Sequence, residues 1–304
     1  MDKKIPVILD TDIGGDIDDS FALALLLRCP ELDTRLVVTA LEGGNDPVSR
    51  AKIAAKQILD SGFTDIPVGA GLPVEPYSTT MGGWAGDLDP ASYPAPFYHD
   101  GIGAMIDTIM ASEETVTLIC IGPLTNIAEA LRREPRIANK ARILAVMGSI
   151  YNGHSLDVIQ KASDYNVRAD IPSAREVFAA PWDITIAPLD ITAHLVVGDD
   201  NYQHILAKRE SDPVCRTVLS AFDRWMEIHN CTYYKTHTTS LYDTAAIYMA
   251  VTGDYNVIME DHLLSIDDGG YTNDDESGRL VHCAVYWKYK DVFYKFVADR
   301  LCNR

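Results

Sequence analysis

The sequence is short of positive charge. Its 304 residues include 26 lysines and arginines against 44 aspartates and glutamates, which gives a formal net charge of −18. A chain this acidic repels the phosphate backbones of DNA and RNA, so we expect no nucleic-acid partner. A neutral small molecule or a cation suits this charge better than a highly anionic substrate.

Long apolar runs and closely spaced cysteines are also missing. No stretch approaches the roughly 18 uninterrupted apolar residues that span a membrane, so we expect no membrane partner. The N-terminus enters a strand-like segment without an apolar leader, which predicts a cytoplasmic protein. The six cysteines are scattered and form no C-x-x-C pair, which favours reduced thiols over disulfides or zinc ligation.

Apolar runs alternate with amphipathic stretches along the chain. Strand-like runs occupy 5–10, 35–43, 66–71, 115–122, 141–149 and 182–190, and helix-like stretches occupy 21–29, 47–61, 101–112, 123–133, 171–180 and 213–229. This alternation predicts an α/β fold with an open, mainly parallel central sheet flanked by helices. The strand runs are continuously apolar, so helices should cover both faces of the sheet. Without repeats or an obvious linker, a single domain over 1–304 is favoured.

Two irregular stretches interrupt the alternation. Residues 72–100 are rich in proline and glycine, and loops of this length are usually functional or disordered, so we interpret this stretch as a lid over a site. Residues 230–241 are rich in tyrosine, histidine and threonine.

A carboxylate cluster follows the first predicted strand. Five aspartates fall within ten residues: Asp10, Asp12, Asp16, Asp18 and Asp19. Open α/β sheets bind ligands at the carboxyl ends of their strands, and acids this close repel one another unless a cation is bound. Oxygen-only donors indicate calcium or magnesium. A helix cap explains only one or two of the acids, and Phe21 in place of the final glutamate excludes an EF-hand.

The run DTDIGGDIDDSFAL resembles the signature D-T-D-x-G-x-D-D-x-x-A-L of the inosine/uridine-preferring nucleoside hydrolases, with two extra residues before Asp18. IGPLTN at 121–126 is similar to the family's G-P-L-T-N element, and SDYNVRAD at 163–170 is similar to its E-F-N-x-x-x-D element. Asn45 and Asp243 fall where the family carries a substrate asparagine and a late calcium-binding aspartate. The matches follow the family's order over 10–243.

The resemblance implies a calcium-dependent enzyme that hydrolyses the N-glycosidic bond of ribonucleosides to ribose and free base. The implied metal ligands are Asp12, Asp19, the backbone carbonyl of Ile121, and Asp243. Asp12 would also act as general base on a calcium-bound water, and Asp10 would support the ligands from behind. The implied sugar contacts are Asp18, Asn45, Met147, Asp164, Asn166 and Asp243. The resemblance further implies a homodimer or homotetramer.

This chemistry is physically coherent for a pocket of carboxylates. Departure of a base leaves positive charge on the ribose, and nearby carboxylates stabilise that charge. A site that pairs each hydroxyl group rejects sugars that lack one, because unpaired buried polar groups are costly. We therefore expect ribonucleosides to be preferred over 2′-deoxyribonucleosides.

The leaving-group acid is the main departure from the family pattern. Tyr242 stands where purine-active members carry a histidine, and a phenol is a poorer proton donor at neutral pH. The sequence leaves three explanations for protonation of the leaving base: Tyr242 donates the proton, the base needs no strong acid, or a residue of the neighbouring irregular stretch enters the site. The candidates from that stretch are His229, Tyr233, Tyr234 and His237.

Two other classes of protein compete with this interpretation. Asp10 and Asp12 after a buried strand resemble the D-x-D pair of haloacid-dehalogenase-like phosphatases, although the surrounding acids and the net charge disfavour phosphate. A calcium-dependent nucleoside-binding protein with weak catalysis would share the same metal and sugar residues.

Overall fold

The structure is a computed structural model that describes residues 3–41, 48–73, 81–155 and 158–303. Its strands are β1 (Ile5–Thr11), β2 (Leu32–Leu41), β3 (Val68–Pro73), β4 (Phe97–Tyr98), β5 (Val116–Cys120), β6 (Ala141–Ala145), β7 (Ile184–Ile186), β8 (Val196–Gly198), β9 (His237–Ser240), β10 (Val257–Ile266), β11 (Thr272–Asp274) and β12 (Arg279–Trp287). Its α-helices are α1 (Asp18–Leu27), α2 (Ser49–Asp60), α3 (Gly101–Ala111), α4 (Thr125–Arg133), α5 (Tyr165–Ala169), α6 (Ile171–Ala179), α7 (Leu189–Thr192), α8 (Asp199–Ala207), α9 (Pro213–Ile228), α10 (Thr244–Thr252) and α11 (Lys290–Leu301). Short 3₁₀ helices lie at Gly82–Trp84, Pro90–Ser92 and Pro135–Asn139.

Ten of these strands form one sheet in the order β11-β10-β12-β7-β6-β5-β1-β2-β3-β4. The pairs from β12 to β4 are parallel, and β10 pairs antiparallel with β11 and β12. The predicted mainly parallel α/β sheet is confirmed. Strands β8 and β9 form a separate antiparallel pair.

The central strand β1 is buried on both faces because apolar side chains point to both sides. Val7 and Leu9 belong to one hydrophobic cluster and Ile8 to a second. Helix α1 packs within the first cluster, and all ten of its residues are buried. This helix begins three residues before the predicted start at Phe21, which places Asp18 and Asp19 in its first turn.

The sheet reverses its winding between β1 and β5. The chain builds outward from β1 through β2 to β4 on one side, and from β5 through β6 and β7 on the other. The carboxyl ends of β1, β5 and β6 therefore meet at one crevice, which is where open α/β sheets bind ligands. Asp12, Ile121 and Val146 follow these three strand ends directly.

The chain after residue 243 completes the sheet with β10, β11 and β12 and closes with α11. These segments received no prediction from the sequence. Helix α11 is anchored by Phe293, which is fully buried, with its ring centroid 4.8 Å from Trp287 and 5.4 Å from Tyr248. Within the described ranges, no helix is both long and apolar enough to cross a membrane.

We expect Phe293→Ala to lower the free energy of unfolding by about 3–5 kcal/mol, because it leaves a cavity among packed aromatic rings. Urea denaturation measures this difference. The matched control is Val292→Ala on the same helix, where the side chain is 44% exposed and the change should stay within about 0.5 kcal/mol. Equal effects of the two variants would contradict the assigned packing of α11.

Candidate active site

Three carboxylates from distant parts of the chain meet at the crevice. Oxygen atoms of Asp18, Asp19 and Asp243 lie within 4.8 Å of one another, and all three side chains are buried. Asp18 and Asp19 lie in the first turn of α1, and Asp243 precedes the first turn of α10. Both helices direct their positive N-terminal ends at the cluster, which favours negative charge there.

The positive potential of the two helix N-termini does not offset the cost of burying three carboxylates. Burial raises the pKa of Asp18, Asp19 and Asp243 well above the usual range, and repulsion from neighbouring aspartates adds to the effect. A set of buried oxygen donors with excess negative charge fits a hard divalent cation.

Asp12 lies beside this trio at the end of β1. Burial raises the pKa of its carboxyl group, and the positive charge of Arg50 opposes that rise. Gly122 allows the close approach of the loop after β5: a Cβ atom on it would lie 2.9 Å from the Asp12 nitrogen and 3.0 Å from Asp12 Oδ1. The glycine of the G-P-L-T-N element is therefore needed to accommodate Asp12.

Asp10, which the resemblance assigns to a supporting role, is held by a chain of hydrogen bonds. Its Oδ1 accepts a hydrogen bond of 2.7 Å from Asn126 Nδ2, and Asn126 Oδ1 in turn accepts from the Leu72 backbone at 2.8 Å. Burial raises the pKa of Asp10 to about 7, although the Asn126 bond opposes the rise. Asn126 thus ties the end of β3 to the loop that carries Asp12.

The predicted sugar residues Asp164 and Asn166 lie on the neighbouring wall. Asn166 Nδ2 donates to the carbonyl oxygens of Ile121 at 3.0 Å and Val146 at 2.9 Å, and so links the ends of β5 and β6. Asp164 caps α5 and accepts from the Val167 backbone at 3.2 Å. Burial raises the pKa of Asp164 to about 6, with backbone hydrogen bonds opposing the shift.

These groups line one cavity of about 520 Å³. It brings together nine of the residues named from the sequence: Asp12, Asp18, Asp19, Ile121, Asp164, Asn166, His229, Tyr242 and Asp243. Burial, with the charges of Asp18 and Asp16, raises the pKa of Tyr242 to about 12. The phenol is therefore an even weaker acid here than in water.

Five residues named from the sequence as sugar contacts or proton donors are not among the groups described around this cavity: Asn45, Met147, Tyr233, Tyr234 and His237. Asn45 lies outside the described residues. Met147 is 1% exposed and packs in a hydrophobic cluster instead of lining the cavity. His237 lies on β9, packs edge-to-face against Tyr234, and lines a separate cavity beside β8.

Eight further residues line the cavity without having been assigned a role from the sequence: Gly15, Asp16, Arg50, Val146, His154, Tyr165, Leu189 and Thr192. Arg50 is 3% exposed, and its Nη1 donates to the Ile13 carbonyl at 3.1 Å, so it holds positive charge against the loop of acids. Arg50 belongs to no recognisable sequence motif, so its position against the loop of acids could be found only from the fold. His154 lies edge-to-face against the Tyr242 ring, with 6.1 Å between centroids.

The chain matches the family model described as inosine-uridine preferring nucleoside hydrolase over residues 7–289. An inosine-uridine preferring nucleoside hydrolase of Crithidia fasciculata is 29% identical over 81% of this chain and 78% of its own length. A pyrimidine-specific ribonucleoside hydrolase of Enterobacter sp. (strain 638) is 30% identical over 80% of this chain and 78% of its own.

Solved structures agree on the fold. An inosine-uridine preferring nucleoside hydrolase from Bacillus anthracis superposes with a TM-score of 0.76 at 20% identity, covering 99% of this chain and 100% of that one. A purine-preferring ribonucleoside hydrolase from Gardnerella vaginalis gives 0.77 at 19% identity, covering 98% of each chain.

The fold and the buried acids at its crevice define an N-glycosyl hydrolase. The chain belongs to the inosine-uridine preferring nucleoside hydrolase family, and the resemblance noted in its sequence motifs is confirmed.

We expect Gly122→Ala to lower kcat by at least about tenfold, because the added methyl group displaces Asp12 from its position. The matched control is Gly83→Ala, whose Cβ would meet nothing closer than 4.0 Å. Steady-state kinetics, with a circular dichroism spectrum to verify folding, measures the effect. Unchanged kcat in a folded Gly122→Ala protein would show that Asp12 tolerates displacement.

The raised pKa of Asp164 has a consequence for stability. Because the folded-state pKa of about 6 exceeds the ordinary aspartate pKa of 3.8, the contribution of this group to stability is fully present below pH 3.8 and is lost as the pH rises through 6. In chelator, we expect the fall in the free energy of unfolding between pH 4 and pH 8 to be about 2–3 kcal/mol smaller in Asp164→Asn than in the wild type. Urea denaturation at the two pH values measures this, and equal falls would contradict the assignment.

Proposed function

We propose that this protein hydrolyses the N-glycosidic bond of ribonucleosides with the help of a bound calcium ion, releasing ribose and a free base. The single observation that carries the proposal is the convergence of Asp18, Asp19 and Asp243 beside Asp12 at the crevice of a nucleoside-hydrolase fold. A pocket of this charge stabilises the positive ribose that forms as the base departs.

The proposed metal ligands are Asp12, Asp19, the Ile121 carbonyl oxygen and Asp243. Calcium suits them because every donor is oxygen and because the ligands come from separate segments, which suits a flexible coordination shell. When bound, the cation supplies charge that acidifies water and attracts sugar hydroxyl groups. Asp12 accepts the proton of the attacking water, and Gly122 and Arg50 hold Asp12 in position for this step.

The proposed sugar contacts lie around the same cavity. Asp18, at the first position of α1, faces the pocket and is assigned to the ribose hydroxyl groups. Asp164 and Asn166 on the α5 side complete the hydrogen bonds to the sugar, and we retain Asn45 as a predicted contact. Because each hydroxyl group then has a partner, 2′-deoxyribonucleosides should bind and react poorly.

The family relatives differ in their named base preferences, which are inosine-uridine, pyrimidine-specific and purine-preferring. We propose a small-molecule nucleoside as the substrate of this chain and leave the base to a substrate panel. We also propose a cytoplasmic location and a homodimer or homotetramer, on the basis of the sequence resemblance. Family membership argues against the phosphatase alternative.

The test is release of reducing sugar from inosine, uridine, cytidine, adenosine and 2′-deoxyuridine, in chelator and with added calcium or magnesium. We expect calcium-dependent release of ribose, with at least about 100-fold loss of kcat in Asp12→Ala because the general base is removed. The matched control is Asp107→Ala, an exposed acid on α3. We expect 2′-deoxyuridine to react at least about 100-fold more slowly than uridine.

Other outcomes would indicate a different class of protein or a different role for the metal. Tight nucleoside binding without sugar release from any substrate would indicate a binding protein. Turnover of p-nitrophenyl phosphate with magnesium would indicate a phosphatase. Calcium-independent release of ribose would contradict the metal assignment but retain the hydrolase.

A further inference from the structure

The two residues that this chain adds to the family signature lie on the wall of the cavity. Gly15 and Asp16 both line it, between the loop of Asp12 and the start of α1. The side chain of Asp16 is open to solvent, and its Oδ1 accepts a hydrogen bond of 2.7 Å from the Ile17 backbone. The insertion therefore places an extra carboxylate at the rim of the site.

A histidine with a defined orientation lines the same cavity. His229 follows the last residue of α9, and its ring stacks on Trp225 with 4.3 Å between centroids and 28° between planes. Its Nδ1 lies 2.9 Å from the Trp225 carbonyl oxygen. A carbonyl oxygen only accepts hydrogen bonds, so Nδ1 carries a hydrogen and Nε2 is the nitrogen that gains or gives up a second proton.

His229 has two sources of negative potential beside it. It lies at the C-terminal end of a 16-residue helix, where the backbone carbonyl groups provide negative potential. Asp16 adds a carboxylate close enough to interact electrostatically with His229. Desolvation by burial raises the pKa of Asp16, whereas the hydrogen bond from the Ile17 N–H and the charge of His229 lower it. The His229 ring lines the cavity, and Nε2 is the nitrogen left to donate a proton there.

We propose that His229 is the acid that protonates the departing base, positioned by Trp225 and Asp16, in place of the histidine that Tyr242 replaces. As the bond between C1′ and the base nitrogen breaks, its electron pair stays with the base, which takes the proton from His229 Nε2. The water oxygen bonds to C1′, and the water proton passes to Asp12. Solvent then returns a proton to His229 and removes one from Asp12. This inference rests on the proposed hydrolase function.

The other candidates at the cavity have less suitable surroundings. The high pKa of Tyr242, about 12, makes its phenol a weak donor. His154 lies edge-to-face against the Tyr242 ring, which is not a charged partner for an imidazolium. His237 lines a different cavity.

The experiment compares two leaving groups in His229→Gln. Uridine and inosine need a protonated base to depart, whereas p-nitrophenyl β-D-ribofuranoside releases a stable phenolate without an acid. We expect kcat to fall by at least about 100-fold on the nucleosides and to stay within about threefold on the p-nitrophenyl riboside. Asp16→Asn should show a smaller loss with the same selectivity, because it only positions the ring.

The matched control is His282→Gln, which removes a histidine paired with a carboxylate outside the cavity: His282 Nδ1 lies 2.5 Å from Asp261 Oδ1. It should leave both activities unchanged. Equal losses on both substrates in His229→Gln, or no loss on nucleosides, would overturn the assignment. A selective loss of activity on nucleosides in His154→Gln or Tyr242→Phe, with His229→Gln unaffected, would also overturn the assignment. A wild type that cleaves neither substrate would instead refute the hydrolase function itself.

Discussion

The repulsion among buried carboxylates is the constraint on which this structure depends. Asp18, Asp19 and Asp243 are held together by a rigid sheet and two helix ends, although burial and mutual charge make their ionised forms unfavourable. Such an arrangement persists because the surrounding hydrophobic clusters stabilise the fold independently. The site is therefore built in advance for positive charge, both that of a cation and that which develops on a reacting sugar.

Several features far apart in sequence serve to manage that charge. Arg50 supplies a single buried positive charge, and Asn126 holds Asp10 through its amide while binding the backbone of Leu72. Gly122 leaves room for Asp12. The role of each of these residues follows from the carboxyl groups that lie beside it. This explains why the G-P-L-T-N element, which contributes no charged group, lies at the centre of the site.

The sequence predicted the parallel part of the sheet because buried strands are continuously apolar and separated by helical patterns. It also predicted the acids that follow β1, because strand ends in this fold class carry ligands. The segments after residue 243 were not predicted, since β10 alternates exposed and buried residues irregularly around a bulge. The proximity of Asp16 to His229 could not be predicted, because it arises from the packing of α9 against the rest of the core.

The two ends of the carboxylate trio are far apart in the chain. The proposed metal ligands Asp19 and Asp243 are separated by 224 positions, from 243 − 19. An ion held by both would act as a removable cross-link, closing a loop that contains most of the protein. Constraints on loops this long restrict the unfolded chain strongly, in the manner of a disulfide. In a chain whose described cysteines form no disulfide, such a cation would take the place of a covalent bridge, and its availability would govern how long the folded protein survives.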